Sequence, residues 1–277
     1  MELVPGGPFN KEKATSADAI RVLEERYNLD KPVGEQYLIY MGNLLKGDWG
    51  VSLHSGRDIW NDISSKFAVS AKLGGTAAVL AIICGIVLGS IAALTRNRWP
   101  DRVIIFFTTL GTAMPSFVLA TLLLLIFCLK LKWFPVWSPT NPNYVLPVIA
   151  LSVYPMAYIT RLTKTSMLDA LNQDYIRTAR AKGVSRAKVI FAHALRNALI
   201  PVVTYVGPMI AYILTGSMVV ESIFTIGGLG SAFVTSITNR DYTMIMATTM
   251  FLAILMVIAN LLTDIAYKLI DPRITFK

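Results

Sequence analysis

Few residues in this chain are of a type that makes or breaks bonds, and their spacing does not assemble them. His54 and His193 are far apart, and neither has an acidic or cysteine neighbour at ligand spacing. Cys84 and Cys128 both fall in apolar runs, where a lone cysteine packs as a small apolar residue; no disulfide framework or metal-ligand spacing is present. Gly227-Gly228-Leu229-Gly230 superficially looks like a phosphate loop but lacks the lysine, and neither a G-x-x-x-x-G-K-[ST] loop nor a G-x-G-x-x-G fingerprint occurs. The chemistry that remains is electrostatic. Between Arg161 and Asn197 stand eight basic residues, Arg161, Lys164, Arg177, Arg180, Lys182, Arg186, Lys188 and Arg196, in a helix-forming segment broken once, at Gly183. Such a segment docks a partner or a charged surface; it does not catalyse.

The elements that would carry this segment are membrane spans. The chain of 277 residues is 54% hydrophobic and 16% charged, with a mean hydropathy of +0.55, too apolar for an ordinary soluble globule. Five uncharged runs stand out: Leu73 to Leu94, Val103 to Leu129, Tyr144 to Thr160, Ala198 to Val220 and Tyr242 to Thr263. A hydrocarbon core of roughly 30 Å needs about 20 helical residues, so each is long enough or nearly so. The third is the shortest and carries Pro147 and Pro155, which neighbouring helices can tolerate. Gly85 and Gly89 form a G-x-x-x-G pair, and Gly207, Ala211 and Thr215 repeat at four-residue spacing, an interval that lets helix backbones approach closely. The predicted fold class is an all-α, polytopic integral membrane bundle of five spans.

The net charge of +9 is explained by topology rather than by nucleic acid, which is excluded as a partner. Arg96, Arg98 and Arg102, the eight residues above, and Lys268, Arg273 and Lys277 occupy alternate connections, while the intervening ones carry only Lys130 with Lys132, and Arg240. The positive-inside rule makes the rich side cytoplasmic. Residues 1–70 then form an external cap segment, 71–277 the transmembrane domain, and 161–197 its cytoplasmic loop. The cap is expected to hold helices at Ala14 to Tyr27 and Val33 to Leu45, the latter ending before the turn Gly47-Asp48-Trp49-Gly50. Met1 to Phe9 has no signal-peptide pattern, so a further span is expected before Met1. An ion-coupled carrier would place paired charges deep in the membrane. Here only Asp264 comes near, and Asn260 and Lys268, one turn to either side, can pair with it.

Within the basic loop, Asn172 to Lys182 is helical in propensity and Gly183 is suited to a left-handed stop. Ser185 can cap a second helix that continues to Asn197, before Pro201. Ala179, Gly183 and Ala187 are small contact points ringed by arginines and lysines. Docking in a partner's groove and lying on anionic lipid heads both suit that pattern.

Asp174-Tyr175-Ile176-Arg177-Thr178-Ala179-Arg180-Ala181-Lys182-Gly183, followed by His193-Ala194-Leu195-Arg196-Asn197-Ala198-Leu199-Ile200-Pro201, resembles the coupling loop of binding-protein-dependent ABC importer permeases of the type I kind. The dialect is that of the peptide and nickel branch, most like B-type oligopeptide permease subunits. Val4-Pro5-Gly6-Gly7-Pro8-Phe9, Gly47-Asp48-Trp49-Gly50, Pro115-Ser116-Phe117, Thr215 to Glu221, Asn239-Arg240-Asp241-Tyr242 and Ile270-Asp271-Pro272-Arg273 extend the likeness along nearly the whole chain. Two departures stand out. Arg177-Thr178-Ala179 replaces the Glu-Ala-Ala of the general family, so only Ala179 and Gly183 carry over directly. The Pro-Gly-Gly-Pro segment normally follows a first span, making six in the family.

The resemblance implies a non-catalytic subunit that forms half of a peptide pathway in the bacterial inner membrane. Its partners would be a second, C-type permease, two cytoplasmic P-loop ATPases that bind ATP and Mg, an extracytoplasmic peptide-binding protein, and membrane lipid. Arg177, Thr178, Ala179, Arg180, Lys182, Gly183, Ala187 and Arg196 would make the ATPase contact. No cofactor is expected in this chain. An ion-coupled carrier or a channel-like subunit without an ATPase is the competing class, and the solute could also be a nickel complex, an opine or a sugar.

Overall fold

A computed structural model describes residues 30–214 and 218–270. The expected helix Ala14 to Tyr27, the Val4 to Phe9 segment, Thr215 and the tail from Asp271 lie outside the described residues, as does the side chain of Lys268. The chain divides into two compact units, one containing Ala232–Phe251 and the residues up to Phe67, the other Ala68–Ser231 and the residues from Leu252 onward.

In the first unit, helix α1 (Val33–Leu45) starts after Pro32 and carries Glu35 in its first turn, paired with Lys31 at 3.1 Å. Its stop is a left-handed Gly47 (φ +83°), with the Gly47 N–H donating to Leu44 and the Asp48 N–H to Asn43. Asp241 fastens the following loop. Its carboxylate accepts from the Ser52 hydroxyl at 2.5 Å and from the Leu53 N–H at 3.1 Å, while also capping the Met244 N–H. Trp49 stacks on Trp60 at 5.3 Å, and Phe251 meets both edge-on.

Helix α2 (Ile59–Leu94) is one piece of 36 residues, about 54 Å at 1.5 Å per residue, so the first apolar run is only its later part. The second run is not one straight span. Helix α3 (Trp99–Ala113) ends at Met114 in an extended conformation, and α4 (Ser116–Leu123, widening into π-helical turns at Leu124–Lys130) departs at 103°. Pro115 is the cause: it forbids the helical conformation of the residue before it and lacks an N–H to continue the ladder. The described residues thus hold four helices long and apolar enough to cross a membrane, or five spans with the bent pair taken as one.

Helix α5 (Val145–Leu171) is central to the second unit and runs unbroken through Pro155, extending the third run by eleven residues. Its packing follows the small-residue signal. A Cβ on Gly85 would sit 2.6 Å from Ile159, and one on Gly89 would sit 2.5 Å from the Thr160 carbonyl oxygen, so α2 and α5 touch backbone to backbone. Gly111 of α3 similarly faces Val153. After α6 (Asp174–Ala181), α7 begins as Arg186–Lys188, widens to π-helical turns over Val189–Leu195 and continues as Arg196–Leu214. The two expected elements, a loop helix to Asn197 and a span from Ala198, are therefore one helix. Pro201 and Pro208 lie inside it, and Gly207 is pressed against Thr263. Wide turns of this kind accommodate an irregular ladder without a break. Short helices α8 (Met218–Ile223) and α9 (Leu229–Thr238) precede α10 (Tyr242–Ile270).

Candidate functional site

Two residues separate the end of α5 from the start of α6, so the basic arm is a direct continuation of the central helix. Gln173 and Lys182 bound the eight residues of α6, and Gly183 follows. At the Gly183 stop (φ +75°), the Gly183 N–H donates to Arg180 at 3.0 Å and the Val184 N–H to Ala179 at 3.2 Å. This double bond pattern satisfies the carbonyls a helix end would otherwise leave open, and it requires a left-handed residue at its centre. Ser185 follows at the N-terminal boundary of α7 as expected, but its side chain makes no cap bond; the Val189 N–H bonds its backbone carbonyl instead.

The arm has two chemically distinct sides. Ile176, Ala179, Val189, Ala194 and Ala198 are buried together with Met167 and Ala170 of α5 and Ala93 at the end of α2. Arg177, Thr178, Arg180, Lys182, Gly183, Ala187 and Arg196 face solvent. Of the eight sequence-predicted contact residues, seven therefore share the exposed arm, while Ala179 is turned into the chain's own core. The reason is helical spacing: Ile176 and Ala179 are three apart and share one face, which the apolar end of α5 covers. Phe191, whose role the sequence did not suggest, is 67% exposed among the basic residues. Arg177 has an exposed partner in Asp174 at 3.4 Å, an i,i+3 pair that holds the guanidinium only loosely.

The arm's base is fixed by a nearly buried ion pair. Lys164 Nζ of α5 lies 2.6 Å from Asp101 Oδ1 of α3, and Asp101 Oδ2 accepts the N–H of the left-handed Asn97 at 3.0 Å. Both carboxylate oxygens are thus used, which a carboxylate away from water needs. Arg161, one turn earlier, donates to Thr109 Oγ1 at 2.7 Å.

No group of three or more His, Cys, Asp or Glu side chains suited to a metal occurs among the described residues. The glycine run has a different role. Glu221, fully buried, is enclosed by it: its carboxylate accepts from the Ser231 N–H at 3.0 Å, and a Cβ at Gly228 would lie 2.5 Å from Oε2. The loop that superficially looked like a phosphate cradle holds the chain's own carboxylate at the start of α9, where backbone N–H groups and the helix dipole favour an anion.

A helical membrane bundle with an exposed basic arm narrows the class, and comparison with known proteins decides it. Residues 85–276 match the family described as binding-protein-dependent transport system inner membrane component. The chain belongs to this family.

The permease is 49% identical over 276 residues to the dipeptide transport system permease protein DppB of Bacillus subtilis, covering 99% of this chain and 90% of that one. It is 42% identical over 281 residues to the oligopeptide transport system permease protein OppB of Haemophilus influenzae, covering 100% and 92%. Among solved structures, the inward-facing MetNI methionine ABC transporter matches with a TM-score of 0.64 at 14% identity, over 75% of this chain and 95% of that one. An amino acid ABC transporter crystallised with histidines gives 0.60 at 15% identity, over 75% and 94%. Identities this low speak for the fold alone. The permease is thus a multi-pass inner-membrane transport component with the fold of ABC importer permeases.

Proposed function

We propose that the permease forms one half of the translocation pathway of an ATP-driven, binding-protein-dependent importer of dipeptides or oligopeptides. A second permease would supply the other half, two P-loop ATPases would bind and hydrolyse ATP with Mg, and an extracytoplasmic protein would deliver the peptide. The peptide class rests on relatives at 40 to 49% identity that are dipeptide and oligopeptide permeases.

The observation that carries the coupling role is the two-sided arm. Arg177, Arg180, Lys182, Gly183, Ala187 and Arg196 are exposed, while the opposite face is locked to Met167 and Ala170 at the end of α5. A partner seated on the exposed face moves α5 without first unfolding the arm, since packed cores shift as units. ATP binding would then bias a rigid-body change between inward-open and outward-open states by favouring one seating of the arm. The chain itself breaks no bond.

A mild-detergent pull-down of the full-length subunit from its native membrane, with mass spectrometry of the co-purifying chains, tests this reading. Recovery of a second permease and of P-loop ATPases is expected. Recovery without any ATPase overturns the coupling role and favours a carrier or channel.

A further inference from the structure

The exposed faces of the second unit sort by chemistry. On α2 the outward positions Val79, Ile83, Val87 and Ile91 repeat every four residues and are all aliphatic, as a surface bathed in acyl chains requires. On α5 and α7 the outward positions include, beside the aliphatic Val145 and Ile200, a set of aromatic and polar ones. Tyr154 and Tyr158 are 50% and 41% exposed, and the Tyr158 ring lies 4.2 Å from that of Tyr205 on α7. Tyr212 is exposed two turns further along α7, and Arg161, held by Thr109, continues the Tyr154–Tyr158 line at the other end.

Depth makes this arrangement informative. Tyr154 and Tyr158 lie about 15 and 21 Å along the helix from Tyr144, well inside a hydrocarbon layer of roughly 30 Å. Tyrosine that faces lipid belongs at the interface, where its hydroxyl reaches water. A line of phenols reaching this depth, continued by an arginine at the inner end of the span, suits a face turned to a polar cavity, and polar groups inside the layer mark substrate paths.

We propose that Tyr154, Tyr158, Tyr205 and Tyr212 form the wall along which this subunit contacts the moving peptide, with Arg161 at its inner end receiving the peptide carboxylate. The inference rests on the peptide-importer reading above. Phenols suit a cargo of varied sequence: each ring accepts apolar side chains, and each hydroxyl both donates to and accepts from peptide amides. A guanidinium is the matching partner for the one group every free peptide carries at its end, a carboxylate.

The test uses the complete complex with its binding protein in proteoliposomes, carrying Cys84→Ser and Cys128→Ala, with trialanine as probe. Tyr154→Cys, Tyr158→Cys and Ile83→Cys are exposed to the anionic reagent sulfonatoethyl methanethiosulfonate. Labelling at 154 and 158 is expected to be about tenfold faster than at 83, because a thiol in hydrocarbon stays protonated and inert. Saturating trialanine should slow it, and C-terminally amidated trialanine should slow it less. Labelling as slow as at 83 means the face is covered by lipid or by the second subunit and overturns the assignment; labelling indifferent to trialanine overturns it too. The double variant Tyr154→Phe, Tyr158→Phe removes only the hydroxyls and should raise KM for trialanine uptake about fivefold, one hydrogen bond's worth; unchanged uptake counts against the wall. Uptake by the parent complex separates the two levels. If it takes up no trialanine, the peptide reading itself falls; if it does and the labelling is indifferent, only the wall falls.

Discussion

Glu221 and Ser70, 151 residues apart, are joined by a 2.7 Å hydrogen bond in which the serine hydroxyl donates to the carboxylate. Ser70 Oγ in turn accepts the Leu229 N–H at 2.8 Å, so one side chain of α2 ties the carboxylate to the loop that encloses it. Ser70→Ala removes both bonds, leaving the buried Leu229 N–H without this partner and the Glu221 carboxylate with one donor fewer beside Ser231. An unsatisfied buried group costs about 1–3 kcal/mol, and the variant should lose about that much stability, read as a lowered midpoint of thermal unfolding in detergent.

Glu221 also gives the permease a pH dependence of definite sign. Burial is the main influence and pushes its carboxyl above the ordinary value, against the hydrogen bonds from Ser70, Ser231 and Gly230. A raised folded value means that the neutral form is favoured in the native state. The corresponding stability is fully present below the unfolded value of about 4.5 and is lost as pH rises through the folded one. Relative to Glu221→Gln, the parent should lose stability as pH rises above 4.5 and through the raised folded value. Parallel unfolding curves for the two proteins across this range would refute the expectation.

Two glycines of α2 should respond oppositely to alanine. Gly89→Ala drives a methyl against the Thr160 carbonyl and Thr163 and should cost about 1–3 kcal/mol through overpacking. Gly75 has nothing within 4 Å of its added Cβ, and Gly75→Ala should gain up to about 1 kcal/mol from helix propensity. Thermal unfolding of both variants beside the parent checks the difference in sign.

Lys164→Met leaves the Asp101 carboxylate nearly buried beside an apolar chain. Breaking a buried pair from one side costs about 3–5 kcal/mol, whereas replacing both partners is far milder. The variant Lys164→Met with Asp101→Leu should therefore recover most of the loss, as measured by denaturation of the two single variants and the double one.

At Gly183 the constraint is backbone alone, since a Cβ there meets nothing within 4 Å while φ is +75°. Gly183→Asn should preserve peptide-stimulated ATP hydrolysis in the assembled complex, because asparagine tolerates the left-handed region. Gly183→Val should reduce it several-fold with membrane insertion intact. Equal stimulation in both variants would remove the arm from the coupling step.

Much of this architecture is legible in sequence where a local rule operates alone. Val33–Leu45 ends before its glycine-containing turn as indicated, Gly85 and Gly89 do bring two helices together, and Gly183 does stop α6. Where two rules compete, tertiary context decides. Pro115 breaks an uncharged run into two helices, yet Pro155, Pro201 and Pro208 leave theirs continuous, as prolines in helices packed within a bundle can. The enclosure of Glu221 by Ser70 and a glycine loop leaves no trace in spacing, since its partners come from distant positions. The inward turn of Ala179 was readable from its three-residue interval to Ile176, but only once α5 was known to extend to Leu171 and cover that face.

The two-sided arm separates what the membrane fold demands from what a partner demands. Ile176, Ala179 and Val189 answer to the interior of this chain, and changes there are felt as instability. Arg180, Lys182 and Phe191, and Arg177 beside its loose pair with Asp174, face outward to whatever meets that surface. Should that outer face seat an energy-supplying subunit as proposed, a lineage could rewrite its choice of that subunit through a handful of surface substitutions while the bundle beneath stayed the same, so that matched pairs of subunits would drift apart between relatives without any loss of fold.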